Sequence, residues 1–249
     1  DYALRKGHDA LAELLEHARD PAPAQSADDG VVLTCASDIT PEPIAWLWPD
    51  WLAQGKLHLL AGAPGQGKTT LALAMAATVS CGGRWPDGKR CSPGNVLIWS
   101  GEDDPADTLV PRLMGMDANL DRVHFVEGAR IDGKVVPFDP ARDMQALEDA
   151  ARKLRGARLI VVDPIVSAIT GDSHKNAEVR RDLQPLVDMA HRLGAAVLGI
   201  SHFAKGADGR DPLERVIGSI AFTAIARIVM AAGNAKDGDD KRILVRCKS

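Results

Sequence analysis

The stretch "LHLLAGAPGQGKTTLALAMAATVSC", residues 57–81, decides the fold class of this chain. It opens with an apolar run typical of a buried strand, passes through a glycine-rich loop, and continues as helix-forming residues that stop at Gly82 and Gly83. The loop matches G-x-x-x-x-G-K-[ST] in full, between a strand and a helix, as the mechanism of this pattern requires. We therefore predict a phosphate-binding loop made of Gly62, Ala63, Pro64, Gly65, Gln66, Gly67, Lys68, Thr69 and Thr70.

The residue types in this loop suit a nucleoside triphosphate. Gly62, Gly65 and Gly67 allow the backbone to curl so that successive N–H groups face one anion. The N-terminus of the following helix adds unpaired donors and a positive dipole end. Lys68 is predicted to supply charge to the β- and γ-phosphates, and the Thr69 hydroxyl to ligate Mg²⁺. A nucleoside triphosphate and Mg²⁺ are therefore the expected ligands.

Apolar runs and amphipathic segments alternate along the rest of the chain. The further predicted strands cover residues 95–100, 123–126, 158–162 and 195–201, and a hairpin is predicted within residues 226–247. The predicted helix N-caps are Asp104, Asp139 and Asn176, with Gly194 as a helix stop. Continuous apolar strands are typical of sheets buried on both faces. The predicted fold class is therefore α/β: a mainly parallel twisted sheet with helices on both faces and a C-terminal antiparallel hairpin.

The composition is that of an ordinary globular protein. Of 249 residues, 45% are hydrophobic and 26% are charged, and the net charge is −4. No run reaches the roughly 18 apolar residues that a membrane span needs, so we expect no membrane partner and a cytoplasmic location. The four cysteines lack metal-ligand spacing and are predicted to be structural thiols. Three tryptophans between positions 46 and 51 predict hydrophobic packing, with base stacking as the alternative.

Acidic residues follow two of the predicted strands. Asp163 is predicted to anchor Mg²⁺ at the end of its strand, with a simple turn cap as the alternative. Pro164 stands where many nucleotide hydrolases carry the glutamate that activates water. Because the base must project from the same sheet edge, we predict that Glu102, after "NVLIWS", is the general base, with Asp103 as the alternative.

The last predicted parallel strand ends in two polar residues, Ser201 and His202. A polar pair at this sheet edge is able to detect the γ-phosphate and relay its presence to the following loop. We predict this sensor role for both residues. Packing of the histidine in the core is the alternative.

Together these features resemble the RecA-like ATPases, and more narrowly the plasmid RepA-type hexameric helicases of the AAA_25 group. The resemblance is carried by "WLAQGKLHLLAGAPGQGKTTLALAMA", "GNVLIWSGEDD", "RLIVVDPI", "GISHFAKG" and "VIGSIAFTAIARIVM". It implies a RecA-like P-loop core and a homo-oligomeric ring, hexameric in this group, with ATP bound between subunits. It also implies a basic finger from the neighbouring subunit on the late strand "RILVRCKS", for which Lys248 is our first prediction and Arg246 the second.

The resemblance further implies single-stranded DNA as the partner. The glycine-rich loop after His202 carries Lys205, Arg210 and Arg215, which would line the central pore and track DNA phosphates. Lys175, in the loop after the metal-anchoring strand, is a further predicted contact. Ordinary solvated loops are the alternative for both. The implied function is an ATP-hydrolysing, ring-forming helicase or translocase in replication, and the alternative is an ATP-gated DNA- or protein-binding scaffold that does not unwind.

Three segments are predicted along the chain. Residues 1–20 predict a helix and resemble the tail that follows a primase domain in phage and mobile-element primase–helicases. Residues 21–43 predict a linker that leads into the domain, and residues 44–249 predict the RecA-like ATPase domain. The chain begins at Asp1 and stops at Ser249, where the resembled group continues. We therefore expect a fragment of a longer chain that also contains a primase domain.

Overall fold

The structure, a computed structural model, describes residues 31–203, 213, 220–235 and 241–249. The chain divides into two units, Asp1–Pro43 and Ile44–Ser249. In the first unit, the described residues 31–43 are exposed and contain one 3-10 turn, Ala36–Asp38. The helix predicted for residues 1–20 lies outside the described residues.

The described residues of the second unit form one large sheet and two small antiparallel pairs. The strands of its described residues are β1 Trp46–Trp48, β2 Leu52–Ala53, β3 Leu57–Gly62, β4 Val96–Ser100, β5 Val123–Phe125, β6 Ala129–Ile131, β7 Lys134–Val136, β8 Leu159–Asp163, β9 Ala196–His202, β10 Ile228–Asn234 and β11 Arg242–Lys248. The large sheet has the order β11-β10-β3-β9-β8-β4-β5. All neighbours in it are parallel except β10 and β11, which confirms the predicted α/β class with its C-terminal antiparallel pair. The pairs β1–β2 and β6–β7 were not predicted, because strands of two or three residues are too short to show a period.

Helices cover both faces of the sheet. The α-helices of the described residues are α1 Lys68–Cys81, α2 Val110–Met114, α3 Pro140–Lys153, α4 Asn176–Leu193 and α5 Ala221–Ile225. A π-helical turn, Pro105–Leu109, leads into α2, and 3-10 turns cover Leu120–Arg122 and Ile165–Ala168. Within the described ranges, no helix is both long and apolar enough to cross a membrane.

The continuous apolar strands are explained by two hydrophobic clusters, one on each face of the sheet. In β8, Leu159 and Val161 pack in the cluster on the α1 face, whereas Ile160 and Val162 pack in the cluster on the face of α3, α4 and α5. Successive side chains of a strand point to opposite faces, so a strand covered on both faces needs apolar residues at every position. The central strands β3, β8 and β9 are therefore buried, whereas the edge strand β11 is largely exposed.

Most helix ends follow the local signals of the sequence. Gly82 and Gly194 end α1 and α4 in the left-handed conformation, and the Asp139 carboxylate accepts the Ala141 N–H as an N-cap. The prediction of Asn176 as an N-cap was wrong: Asn176 is the first helical residue and Lys175 is the cap. The reason is that the Lys175 carbonyl already accepts the first helical hydrogen bond, from the Val179 N–H at 3.0 Å.

The tryptophans pack as predicted. Trp48 is buried and stacks on Trp51 and Trp85, with ring centroids 5.0 and 4.8 Å apart, on the same face as α1. These stacked rings hold the β1–β2 pair against the domain. Base stacking is not needed to explain the cluster.

A buried histidine, His58 in β3, connects the β1–β2 pair to the sheet. Its Nε2 accepts the Ala53 N–H at 2.9 Å, so its Nδ1 carries the proton and donates to the Val197 carbonyl at 3.1 Å. Burial lowers the pKa of His58 to about 4. The imidazole is therefore a neutral structural group at physiological pH.

A second buried polar group, Glu148, joins two helices on the opposite face. Its carboxylate accepts hydrogen bonds from Arg192 of α4 at 2.6 Å and from Arg152 of α3 at 2.7 Å. These bonds, that from Arg192 first, lower the pKa of Glu148 to about 2. Both carboxylate oxygens of Glu148 therefore have partners within the chain.

Candidate nucleotide-binding site

The carboxyl ends of β3, β4, β8 and β9 meet at one edge of the sheet and form a cleft of about 320 Å³. Ligands of open α/β sheets bind at this edge. The cleft is lined by Pro64, Gly65, Gly67, Lys68, Thr69, Thr70, Glu102, Arg112, Asp163, His202 and Arg242.

The predicted phosphate loop connects β3 to α1. Gly65 and Gly67 have φ values of 75° and 78°, which L side chains rarely adopt, and Gly67 is the N-cap of α1 without a side-chain hydrogen bond. The helix N-terminus thus presents N–H groups to the cleft. Gly62 serves a different purpose from the predicted curling of the loop: a Cβ there would lie 2.6 Å from the Ala232 carbonyl oxygen. Glycine at this position permits close approach of β10.

Lys68 is almost fully buried at the start of α1. Its ammonium donates to the Ala63 carbonyl at 3.0 Å and to His202 Nδ1 at 3.2 Å. Burial lowers the pKa of Lys68, although the charges of Asp163 and Glu102 act in the opposite direction. A buried cation with few partners is strongly attracted to an anion.

Asp163, at the end of β8, lies next to the helix that carries Lys68. The Thr69 hydroxyl donates to its Oδ2 at 2.8 Å, whereas its buried Oδ1 has no partner in the described part of the chain. Burial raises the pKa of Asp163, as do the nearby Glu102 and Asp103. An uncompensated carboxylate beside a hydroxyl provides the hard oxygen donors that Mg²⁺ prefers, so these two residues fit the ion.

The remaining ligands of such an ion would come from elsewhere. The described residues contain no group of three or more His, Cys, Asp or Glu side chains arranged to hold a metal. Mg²⁺ usually retains waters and takes one or two protein ligands together with substrate phosphates. The pair of Thr69 and Asp163 agrees with that mode.

Glu102 reaches the cleft from the loop after β4. The Gly101 N–H donates to the Asp163 carbonyl at 2.8 Å, which places this loop beside β8. The Glu102 side chain is 50% exposed, and its Oε1 lies 3.7 Å from His202 Nε2. Its carboxylate is therefore accessible to water.

The two neighbouring acids have other partners. Asp103 forms an ion pair with Arg112 at 3.6 Å. Asp104 accepts the N–H groups of Ala106 and Asp107 at the start of the π-helical turn, which confirms its predicted capping role. Of the three consecutive acids, only Glu102 lines the cleft.

The predicted sensor pair divides between two environments. His202 lines the cleft between Lys68 and Glu102. Since the Lys68 ammonium only donates, His202 Nδ1 accepts and Nε2 carries the proton that faces Glu102. Ser201 is buried outside the cleft, and its hydroxyl donates to the His202 carbonyl at 3.4 Å.

The candidate finger residues lie on β11, away from the cleft of their own chain. The Lys248 ammonium donates to the carbonyls of Thr223, Ala224 and Ala226 at 2.7–3.1 Å, at the end of α5. Arg246 donates to the Asp50 carbonyl at 2.7 Å and lies 5.4 Å from the Trp51 ring centroid. The candidate DNA contacts Lys205, Arg210 and Arg215 fall outside the described residues. Lys175 is exposed and pairs with Glu178 at 3.1 Å.

Sequence reasoning missed two cations of the cleft, Arg112 and Arg242. Arg112 lies on α2, ten residues after Glu102. This short distance in sequence from the acidic loop was the only indication that Arg112 would lie near the cleft. Arg242 begins β11, 174 residues after Lys68, and carried no local signal. Only the pairing of β11 with β10 brings it to the phosphate loop.

The comparison with family models agrees with this geometry. Residues 21–208 match AAA_25, an AAA domain family, which is most of the chain. The fold and the cleft define a P-loop nucleotide-binding domain, and the chain belongs to the AAA_25 family of P-loop ATPases. No curated protein matches the chain.

Proposed function

We propose that this chain is the ATP-hydrolysing domain of a ring-forming DNA helicase or translocase that acts on single-stranded DNA in replication. The observation that carries the proposal is the position of His202, within 3.2 Å of Lys68 and 3.7 Å of Glu102. This histidine immediately precedes the loop that carries Lys205, the first of the candidate DNA contacts. A change at the γ-phosphate would therefore reach that loop through one side chain.

Each residue of the cleft has a separate role in ATP hydrolysis. The loop N–H groups and Lys68 bind the phosphates, and Thr69 and Asp163 would hold Mg²⁺, which supplies charge against the phosphate oxygens. Glu102 accepts a proton from the attacking water. A bond forms between this water oxygen and the γ-phosphorus, while the bond from that phosphorus to the bridging oxygen breaks. ADP and phosphate are the products.

The position of Lys248, at the C-terminal end of β11, supports the proposed ring of subunits. Lys248 pairs with Val229 near the start of β10, and parallel pairing places Val229 next to Leu59, three residues before Gly62. Lys248 therefore lies towards the end of the sheet formed by the amino ends of the parallel strands, opposite the cleft. From there it is better placed to reach a neighbouring subunit than its own nucleotide. Its three carbonyl contacts would have to open for it to act as the finger, and Arg246 is the second candidate.

Steady-state ATP hydrolysis, with and without single-stranded DNA, tests this proposal. We expect Glu102→Gln to keep ATP binding and to lower turnover by about 100-fold or more, because general-base catalysis contributes on the order of 10²–10⁴-fold. Glu127→Gln is the matched control, since Glu127 is an exposed carboxylate after the adjacent strand β5 and does not line the cleft. Turnover in Glu102→Gln equal to that of the control would reject the assignment of the base.

A forked DNA substrate separates the two functions considered. DNA-stimulated hydrolysis together with strand displacement is expected for a helicase. ATP-dependent DNA binding without displacement would instead support the ATP-gated scaffold. Variants of Lys248 and Arg246, mixed with wild-type chain, test the finger in a separate experiment.

A further inference from the structure

Arg242 reaches the nucleotide cleft because β11 is antiparallel to the strand beside it. β10 is parallel to β3, so both strands end at the edge that carries the phosphate loop. The antiparallel strand β11 begins at that edge, where Arg242 pairs with Asn234. The start of β11 therefore lies beside the loop that follows β3.

The Arg242 guanidinium lies against the N-terminus of α1. It approaches Gly67 so closely that a Cβ on Gly67 would overlap its Nη1 atom, and it lines the same cleft as Lys68. Gly67 is the N-cap of α1, where the helix dipole is positive. Arg242 is exposed, so water screens its repulsion from the helix dipole and from Lys68, and an anion between these positive groups would be attracted by all of them.

The charges around Arg242 do not compensate it within the described residues. The acids of the cleft are Glu102 and Asp163, which lie beside His202 and Thr69 respectively. The other arginine of the cleft, Arg112, is paired with Asp103 at 3.6 Å. No carboxylate in the described ranges forms an ion pair with Arg242. Its guanidinium lines the same cleft as the loop N–H groups and Lys68, which favour a phosphate.

We propose that Arg242 is a second phosphate-binding cation of this site, supplied by the same subunit, and that it binds the phosphate chain of a nucleoside di- or triphosphate together with Lys68. A guanidinium presents paired N–H donors that match two phosphate oxygens, which Lys68 as a point charge does not. The inference rests on the proposed function for the identity of the ligand, but it requires neither hydrolysis nor a ring.

Titration with a fluorescent ADP analogue tests the proposal, because ADP binding does not depend on turnover. We expect Arg242→Ala to raise the Kd by about 10-fold or more, the range for loss of a charge-assisted hydrogen bond. Arg242→Lys should recover part of the affinity, because it restores the charge without the paired donors. Arg180→Ala, which removes an exposed arginine of α4, is the matched control and should stay within about twofold of wild type.

Displacement of the analogue by inorganic tripolyphosphate distinguishes phosphate binding from an effect on the hairpin. Tripolyphosphate has no base or sugar, so its affinity should fall in Arg242→Ala by the same factor as that of ADP. An unchanged affinity for tripolyphosphate, or a Kd for ADP equal to that of Arg180→Ala, would overturn the proposal. Thermal melting of Arg242→Lys checks that the fold is retained, and its melting temperature should equal that of wild type. If the wild-type chain binds ADP but does not hydrolyse ATP, the proposed function fails while this test still decides the role of Arg242.

Discussion

Two clusters of charged side chains in this domain use similar residues in opposite ways. Between α3 and α4, Glu148 accepts hydrogen bonds from Arg152 and Arg192, and its pKa falls to about 2. At the phosphate cleft, burial raises the pKa of Asp163 and lowers that of Lys68. The first cluster favours its charged forms, whereas the second disfavours them.

The difference identifies which cluster holds the fold and which binds a ligand. Glu148 has partners for both carboxylate oxygens within the chain. Among the described residues, Asp163 leaves Oδ1 unpaired, and the Lys68 ammonium has only a carbonyl and an imidazole as hydrogen-bond acceptors. Buried charges that the chain does not compensate cost free energy, and a bound ligand recovers it. The first three of the four predictions below test this contrast.

Replacing the buried cation of the cleft should have the largest effect, on binding alone. We expect Lys68→Met, which keeps the aliphatic stem, to weaken ADP binding by about 100-fold or more. The free energy of unfolding should change by less than about 1 kcal/mol, because removing a buried charge relieves its desolvation cost and so offsets the lost hydrogen bonds. Fluorescent ADP titration and thermal melting measure the two quantities. Lys56→Met, at an exposed lysine, is the control. If Lys68→Met instead lowered the free energy of unfolding strongly and left ADP binding unchanged, Lys68 would be a structural group and the contrast would be wrong.

Replacing the buried acid between the helices should have the opposite result. We expect Glu148→Gln to lower the free energy of unfolding by about 2 kcal/mol, because two arginines lose a buried charged acceptor but are themselves about half exposed. ADP binding should not change. Asp149→Asn, on the exposed side of the same helix, should stay within about 0.5 kcal/mol of wild type in denaturant unfolding.

The same cluster predicts an acid-dependent loss of stability. The folded pKa of Glu148 is below its ordinary value of 4.5, so its contribution is complete above that value and disappears as the pH falls from 4.5 towards about 2. This part of the pH dependence should be absent in Glu148→Gln. If it persists unchanged, Glu148 is not the group responsible.

The smallest predicted effect concerns the buried histidine of β3. The folded pKa of His58 is about 4 against an ordinary value of 6.5, so the unfolded chain binds a proton first as the pH falls. The free energy of unfolding should therefore decrease as the pH falls from 6.5 towards about 4. The first part of this decrease, between pH 6.5 and roughly pH 5.5, should be about 1 kcal/mol. Urea unfolding at several pH values measures the slope. His58→Gln should reduce it and exposed His174→Gln should not, whereas equal slopes in all three chains would contradict the assignment.

Much of this architecture follows from residues that are close in sequence. The apolar run before Gly62, the glycines of the loop and the helix that begins at Lys68 are one contiguous segment, and their pattern predicted both the α/β fold and a phosphate-binding loop. Asp104 and Asp139 cap their helices as predicted, because a cap is formed by groups within three residues. Short-range hydrogen bonding and burial period are properties of the sequence itself.

Long-range pairing decided the rest. Arg242 enters the cleft because antiparallel pairing with β10 returns β11 to the phosphate edge, and the same pairing carries Lys248 towards the opposite edge. Glu102 and Asp163 approach each other because β4 and β8 are neighbours in register, Ser100 beside Asp163. The amino-acid sequence alone thus determined the class of fold and the phosphate loop. Only the tertiary structure decided which distant charges surround that loop, because strand order and register arise from the packing of the whole sheet rather than from any local segment.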